Sequence, residues 1–168
     1  MKIKQFSLVL LAVTGMLFTA CKKENSSSTL NVRLTDAPTA LEEVNVDIMQ
    51  VNVKFASDTA SWVSLQTTPG IYNLLGLQNG VDTLIAHGVF PSNVVKEIRL
   101  VLGSRNSIKA DGQLFPLTIP SGSESGLKIK VDKHLQATLE TLVIDFDAEL
   151  SIKLEADGYK LRPVLKIK

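Results

Sequence analysis

The fold class is decided by the stretch Val44-Asn45-Val46-Asp47-Ile48-Met49-Gln50-Val51-Asn52-Val53-Lys54-Phe55. Apolar and polar residues alternate along it, which is typical of a β-strand with one face on the core. The apolar set shifts by one position between Ile48 and Met49, so that Met49, Val51, Val53 and Phe55 continue it. Because a one-residue shift turns every later side chain to the opposite face, we expect a β-bulge near Ile48 and Met49.

The same alternation recurs on both sides of this stretch. It is found in segments 30–35, 62–65, 98–102, 108–109, 113–119, 127–131, 142–150 and 161–167. Asp111-Gly112 between two such runs predicts a tight hairpin. Only segment 71–86 breaks the pattern, and it allows a short strand or a single helical turn. The sequence therefore predicts an all-β protein, an antiparallel β-sandwich (Ig-like or prealbumin-like) of about eight strands.

The amino-terminal residues have the order of a bacterial lipoprotein signal. Lys2 and Lys4 precede an apolar run from 6 to 18, and Thr19-Ala20 leads into Cys21, the only cysteine. A membrane-spanning helix needs about 20 apolar residues, so this run is short for one. An ordinary signal peptide followed by a free cysteine is the remaining alternative. We expect residues 1–20 to be the signal and Cys21 to carry lipid.

Composition limits the remaining function classes. We expect residues 21–28, which are rich in serine, to be a flexible tether and residues 29–168 to form the domain. Loss of Lys2 and Lys4 with the signal changes the formal charge from +1 to −1, which predicts no nucleic-acid partner. A lipidated Cys21 leaves no thiol for a metal cluster, and we expect no metal and no cofactor. The expected location is the cell envelope, at the outer membrane, with the membrane contacted through the lipid.

The acidic residues Asp145, Asp147 and Glu149 share one face if segment 142–150 is a single strand. Such a stripe could hold Ca²⁺ through its oxygens or act as paired acids. It could also pair with the basic residues of the last strand, because strands that are neighbours in sequence usually pair. We favour this last interpretation, whose basic residues are Arg162, Lys166 and Lys168.

Four further residues are candidates for contact with a ligand. Asp36, before Ala37-Pro38, caps its own turn in the simplest interpretation, although a ligand role is open. Trp62, Tyr72 and Tyr159 could form a sugar-stacking surface, but aromatic residues are only 5% of the chain. We expect at most one of the three to be broadly exposed and Trp62 to be partly buried in the core. The weak ligand-binding candidates are Asp36, Asp145, Asp147, Trp62 and Tyr72.

Several segments, taken in order, resemble a known family. They are Leu30-Asn31-Val32-Arg33-Leu34-Thr35-Asp36-Ala37-Pro38, Tyr72-Asn73-Leu74-Leu75-Gly76-Leu77-Gln78-Asn79-Gly80, Ile98-Arg99-Leu100-Val101-Leu102-Gly103, Pro116-Leu117-Thr118-Ile119-Pro120-Ser121-Gly122, Ser125-Gly126-Leu127-Lys128, Ile144-Asp145-Phe146-Asp147-Ala148 and Leu161-Arg162-Pro163-Val164-Leu165. This set is similar to the bacterial lipoprotein family known as domain of unknown function 4382, over about residues 29–168. The resemblance implies a prealbumin-like or carboxypeptidase-regulatory-like sandwich in an envelope lipoprotein of Bacteroidetes-like bacteria. It implies no catalytic residue.

The expected function is a lipid-anchored binding or display module that performs no chemistry, with a glycan or an envelope protein as its ligand. The alternative is a hydrolase that uses Asp36, Asp145 and Asp147, since two carboxyl groups about 5–9 Å apart suit glycoside hydrolysis. Burial separates the two hypotheses. Aspartates facing Arg162 and Lys166 favour a structural role, whereas unpaired carboxylates in a cleft favour catalysis. The oligomeric state is not indicated by the sequence.

Overall fold

A computed structural model describes residues 27–91, 94–120, 126–135 and 139–168. The predicted signal and Cys21 lie outside the described residues. Ser27 and Ser28, which we predicted to end the tether, belong to the first strand, and Ser28 is fully buried. β1 therefore includes the last two residues of the segment that we predicted to be the tether. No helix within these ranges has the length and apolar character needed to cross a membrane.

The described chain is built almost entirely of strands. They are β1 (Ser27–Thr35), β2 (Glu43–Phe55), β3 (Asp58–Ser64), β4 (Gln66–Thr67), β5 (Gly70–Asn73), β6 (Thr83–Pro91), β7 (Val94–Leu102), β8 (Ser107–Ala110), β9 (Gln113–Pro116), β10 (Leu127–His134), β11 (Leu139–Phe146), β12 (Ile152–Glu155), β13 (Gly158–Leu161) and β14 (Leu165–Ile167). A 3₁₀ turn covers Leu74–Leu77, and a helical turn, α1, covers Ala148–Ser151. The all-β prediction is confirmed. The strands outnumber the predicted set because several are only two to four residues long.

Two sheets face each other. One has the order β14-β11-β1-β6-β4; the other has the order β10-β7-β2-β8-β9, with β3 and β5 also paired to β2. Most pairs are antiparallel, as predicted, but β1 and β11 are parallel, with Val32 opposite Leu142. The first sheet is therefore mixed. Local alternation does not encode this pairing, because β1 and β11 are far apart in the sequence.

Strand β2 contains the predicted bulge. Its pairing with β7 shifts between Ile48, opposite Leu102, and Gln50, opposite Val101. Val44, Val46 and Ile48 are buried before the shift, and Val51 and Val53 are buried after it. Met49, which we placed in the buried set, is 46% exposed. The extra residue of the bulge is Met49 itself, and the shift keeps apolar side chains on the core face of both halves.

The core lies between the two sheets and forms one cluster. Leu30, Val32 and Leu34 of β1 and Ile144 and Phe146 of β11 are buried against the inward residues of β2 and β7. Burial of a side chain of this size contributes about 1.5–3 kcal/mol. A single shared core fits one domain.

The predictions that rest on short sequence patterns are only partly confirmed. The Asp111-Gly112 hairpin is confirmed, because Ala110 pairs with Gln113 and both turn residues have positive φ. Segment 71–86 contains both alternatives, the strand β5 and a 3₁₀ turn, and its end joins the nine-residue strand β6. The predicted strand 142–150 is wrong beyond Phe146, where β11 ends and α1 begins. The hairpin of β12 and β13 was not predicted.

Candidate functional site

A cavity of about 480 Å³ lies where the seven-stranded sheet divides. Its walls come from the end of β7, the loop to β8, the segment after β9 and the start of β10. The lining residues are Leu102, Gly103, Ser104, Asn106, Pro116, Leu117, Thr118, Ile119, Gly126 and Leu127. The volume falls within the range of small-ligand pockets, about 300–1,000 Å³.

The bulge in β2 explains the position of the cavity. Residues after the bulge pair with β7, whereas Glu43, Val44 and Asn45 before it pair with β8 on the same side. β10 continues the sheet from β7, and β9 continues it from β8. The two halves diverge at the connection between β7 and β8, which leaves the cavity between them.

The loop from Gly103 to Asn106 is fixed by the buried residue Asp47. Nε of Arg105 donates to Oδ2 of Asp47 at 3.0 Å, and Nη2 donates to Oδ1 at 2.8 Å. Asn106 accepts the Asp47 backbone N–H at 2.8 Å and donates to the Gly103 carbonyl at 2.7 Å. The hydrogen bonds from Arg105 lower the pKa of Asp47 below its usual value and outweigh the opposing effect of burial. This wall of the cavity is thus held by a charged group inside the protein.

Gly103 is required by the same contact. A Cβ at this position would lie 2.2 Å from Oδ2 of Asp47. The Gly103 N–H also donates to the Asp47 carbonyl at 2.7 Å. Any side chain here would displace the carboxylate and, with it, the loop that lines the cavity.

The opposite wall is the segment from Pro116 to Ile119, which is held on two sides. The Leu117 N–H donates to the Asn106 carbonyl at 2.8 Å. The Thr118 N–H donates to the Tyr159 carbonyl at 3.2 Å, and the Thr118 carbonyl accepts from the Leu161 N–H at 2.9 Å. The hairpin of β12 and β13 therefore supports this wall, and the cavity is formed before any ligand binds.

The cavity suits a neutral, partly apolar group. Leu102, Leu117, Ile119 and Leu127 supply apolar surface, and the exposed residue Ser104 supplies a hydroxyl group. The hydroxyl of Thr118 is already engaged, because it donates to the Tyr159 carbonyl and accepts from Nζ of Lys160. Among the described residues, the lining includes neither an aromatic ring nor an ionisable side chain. These residues can bind a ligand by apolar contact and hydrogen bonds.

Asp36 is placed at the end of β1 and is 1% exposed. Its Oδ1 accepts the Ala148 N–H at 2.9 Å, and its Oδ2 accepts Nε2 of Gln78 at 3.0 Å. Burial raises the pKa of Asp36, the hydrogen bonds oppose this, and the nearby carboxylate of Asp145 adds to the rise. Asp36 ties α1 to the end of the first sheet, and it does not line the cavity.

Asp145 pairs with the last strand, as the favoured interpretation requires. It lies opposite Lys166, and Nζ of Lys166 and of Lys168 lie 3.2 and 3.3 Å from its Oδ2. Two details differ from the prediction. Asp145 is 1% exposed rather than solvated, and Arg162 pairs with Glu155 instead, at 2.8 Å.

Asp147 does not share a strand face with Asp145. It is the N-cap of α1, where its side chain accepts the Leu150 N–H at 3.0 Å. Aspartate is a favoured N-cap because its oxygen satisfies a free backbone donor, and this preference ends the strand. The predicted acidic stripe is therefore wrong. Among the described residues, no group of three or more His, Cys, Asp or Glu side chains could hold a metal ion.

The three aromatic candidates lie apart from the cavity lining and are all partly buried, so none is broadly exposed, as predicted. Tyr72 donates its hydroxyl to the Thr68 carbonyl at 2.6 Å, and Tyr159 packs on Phe115. Trp62 is partly buried on the outer face of the sheet, beneath cationic groups, and is not part of the core cluster. The expectation of partial core burial for Trp62 is wrong.

The residues that shape the cavity were missed by sequence reasoning. Asp47 occupies a polar position in an alternating strand, where the pattern predicts exposure. The available signal was the cluster Gly103-Ser104-Arg105-Asn106 directly after a strand, which combines a glycine with hydrogen-bonding side chains.

Comparison with known proteins identifies a family over most of the chain. The model of the family described as Domain of unknown function (DUF4382) matches residues 27–163. The chain belongs to this family. A search of curated proteins and a search of solved structures each found no match. In this DUF4382 chain, eight of the ten cavity-lining residues lie in three segments that carry the resemblance, 98–103, 116–122 and 125–128.

Proposed function

We propose that the protein is a lipid-anchored binding module of the cell envelope that performs no catalysis. Its ligand is an extended segment of another envelope protein, which places an apolar side chain in the cavity. The observation that carries this proposal is the preformed cavity, whose two walls are fixed by Asp47 and by β13. A site that needs no ordering on binding loses less conformational entropy, which favours affinity.

The character of the lining supports a protein ligand over a glycan. Sugar-binding sites commonly offer an aromatic ring beside polar groups, and the described lining of the cavity holds no aromatic ring. Leucine and isoleucine side chains instead match an aliphatic side chain. The hydroxyl group of Ser104, which is exposed at the rim, suits the polar backbone of a peptide.

The surroundings of the aspartates support the absence of catalysis. Asp145 is paired with two lysines, Asp147 caps α1, and Asp36 accepts two hydrogen bonds. None of the three lines the cavity. Because each of the three carboxyl groups makes a structural contact, a catalytic role is not needed to explain their positions.

The membrane anchor rests on the sequence of residues 1–21. Several acyl chains at Cys21 would give stable attachment, because each buried methylene adds about 0.8 kcal/mol. Cys21→Ala is expected to move the protein from the detergent phase to the aqueous phase in a Triton X-114 partition of intact cells. Retention of the alanine form in the detergent phase would contradict the anchor.

The binding site is tested by photo-crosslinking in cells. A photoreactive amino acid at Ser104, on the cavity rim, should give an adduct of discrete mass, while the same residue at Gln66, exposed in β4, should give none. Ser104→Trp in a second, tagged copy should fail to compete for the adduct. No adduct at Ser104, or equal adducts at both positions, would refute the site.

One observation favours the alternative, a carboxylate-dependent hydrolase. The pKa of Asp36 is raised, mainly by burial and in part by the nearby negative charge of Asp145. Catalytic acids often have a pKa raised in this way. The two hypotheses differ for Asp36→Asn. A hydrolase would lose activity in this variant, whereas a binding module would keep its Ser104 adduct.

A further inference from the structure

A cationic surface, separate from the cavity, covers the outer face of three strands. We define the cationic face as the outward side chains Lys54 of β2, Arg99 of β7, and Lys128 and Lys130 of β10. Lys128 lies opposite Arg99, and Lys130 lies opposite Glu97, which in turn lies opposite Lys54. Four basic residues therefore surround one acidic residue on a chain whose formal charge is only +1.

Arg99 is held in place by its neighbours. Its guanidinium carbon lies 4.0 Å from the ring centroid of Trp62, and a Cβ on Gly126 would lie 2.8 Å from its Cγ. The stem thus packs on the Gly126 backbone and the head stacks on an indole, a geometry that arginine favours. Within the described part of the chain, the buried Nε has no hydrogen-bond partner. Because Nε is buried, an anionic ligand would have to be met by the outer end of this guanidinium, which the contacts with Trp62 and Gly126 hold in place.

The remaining charges divide into paired and unpaired groups. Nζ of Lys54 lies 3.4 Å from Oε2 of Glu97, and beside the cationic face Nζ of Lys96 lies 2.5 Å from Oδ1 of Asp132. Lys128 and Lys130 are exposed, and no described carboxylate lies within ion-pair distance of them or of Arg99. With respect to the described residues, these three cations on the outer face of one sheet have no ion-pair partner and can meet a ligand.

Polar groups continue the surface on both sides. A cleft of about 350 Å³ lies beside the cationic face, and its lining mixes charges: it consists of Lys54, Thr59, Lys96, Glu97, Lys130 and Asp132. On the other side Gln50 donates to Ser64 at 2.8 Å, and Ser64 donates to Asn52 at 2.9 Å. Asn52 is buried, but the amide of Gln50 and the hydroxyl of Ser64 are exposed and match a ligand that carries both hydroxyl and anionic groups.

We propose that the cationic face binds an acidic polysaccharide, a linear sugar chain with repeated carboxylate or sulfate groups. Charge complementarity selects a polyanion, and the adjoining hydroxyl and amide groups select a sugar chain. The exposed large apolar residues of the described chain all lie off this face, so it has little to insert into a bilayer. The ring of Trp62 already contacts Arg99, and so it is not free to stack on a nucleobase.

The probe is polygalacturonate, titrated into the full chain in detergent at low ionic strength, with dextran as the neutral control. We expect binding to polygalacturonate alone, weakened by added salt. Lys128→Gln/Lys130→Gln should lower the affinity about tenfold, which is what loss of two charged contacts gives. Lys109→Gln/Lys153→Gln makes the same change in charge on β8 and β12 and should leave the affinity within about twofold. Both substituted pairs are at the surface and carry no described ion pair, so the fold should be retained.

Three results would overturn the proposal. They are no binding to polygalacturonate, equal losses in the two double variants, and tighter binding to a DNA duplex or to anionic vesicles in the same buffer. Trp62→Leu adds a separate readout, because loss of the ring frees Arg99 and should weaken polygalacturonate binding by about threefold. Ser104 is not part of the cationic face, so a variant that loses polygalacturonate binding but keeps its Ser104 adduct shows an effect on the cationic face alone.

Discussion

The guanidinium of Arg105 contacts both carboxylate oxygens of Asp47, at 3.0 Å from Oδ2 and 2.8 Å from Oδ1. The Asp47 side chain is 2% exposed, whereas that of Arg105 is 62% exposed. A surface cation therefore neutralises a buried anion, and this pair positions the loop that lines the cavity.

Removal of the Arg105 guanidinium should lower the free energy of unfolding. Arg105→Ala leaves the Asp47 carboxylate buried with only backbone contact, and we expect a loss of about 2 kcal/mol in the free energy of unfolding. Arg162→Ala removes a comparable pair at the surface, with Glu155, and should cost less than about 1 kcal/mol. Urea denaturation measures both. Equal losses would show that the Asp47 carboxylate is not dependent on Arg105.

Acid should weaken the same contact. The pKa of Asp47 is lower in the folded chain than in the unfolded chain, where aspartate has a pKa of about 3.9. The resulting stabilisation is complete above about pH 4 and is lost as the pH falls through the folded pKa. Unfolding free energies between pH 2 and 7 should therefore fall less steeply at the acid end for Asp47→Asn than for the native chain. Identical slopes would contradict a lowered pKa.

The contribution of Asp36 to stability should depend on pH in the opposite direction to that of Asp47. Burial raises the folded pKa of Asp36, so its contribution is most favourable in acid and is lost as the pH rises from the unfolded value through the folded value. Asp36→Asn keeps an acceptor for Ala148 and should unfold at neutral pH at the native temperature or above it. Asp36→Ala leaves that N–H unpaired and should cost about 1–3 kcal/mol. Thermal unfolding at pH 7 should rank asparagine above alanine, and the reverse order would refute this account.

Two glycines form a matched pair. Gly112 and Gly126 have φ of +74° and +84°, but a Cβ on Gly112 meets nothing within 4 Å, whereas one on Gly126 meets Arg99 and the Leu100 carbonyl oxygen. Gly112→Ala should cost about 1–2 kcal/mol from backbone strain alone. Gly126→Ala adds steric overlap and should cost at least about 1 kcal/mol more. Chemical denaturation decides between them, and equal costs would mean that Arg99 moves aside freely.

Features set by neighbouring residues were predictable from the sequence. The shift of the apolar set in β2 located the bulge, Asp111-Gly112 located a hairpin, and the order of the chain predicted that Asp145 faces Lys166. In each case the governing interaction lies within one strand or between strands that follow closely in sequence.

Features that depend on distant segments were not predictable. The parallel pair of β1 and β11 joins strands on either side of most of the chain. Asp47 is buried by a loop some 58 residues later in the sequence, so its own strand pattern predicts exposure. The end of β11 was misjudged for a local reason, because the capping preference of Asp147 overrides the alternation that continues past it.

The first residue of β1 and the cavity lie near opposite ends of strand β7. Ser27 lies beside Pro91, near the first residue of β7, whereas the cavity begins at Leu102, the last residue of that strand. Nine strand residues span about 30 Å. The six Cα steps from Cys21 to Ser27 reach at most about 22 Å. If Cys21 carries lipid, as proposed above, the end of the domain held near the membrane is the end opposite the cavity, and the proposed partner would reach the cavity from the aqueous phase.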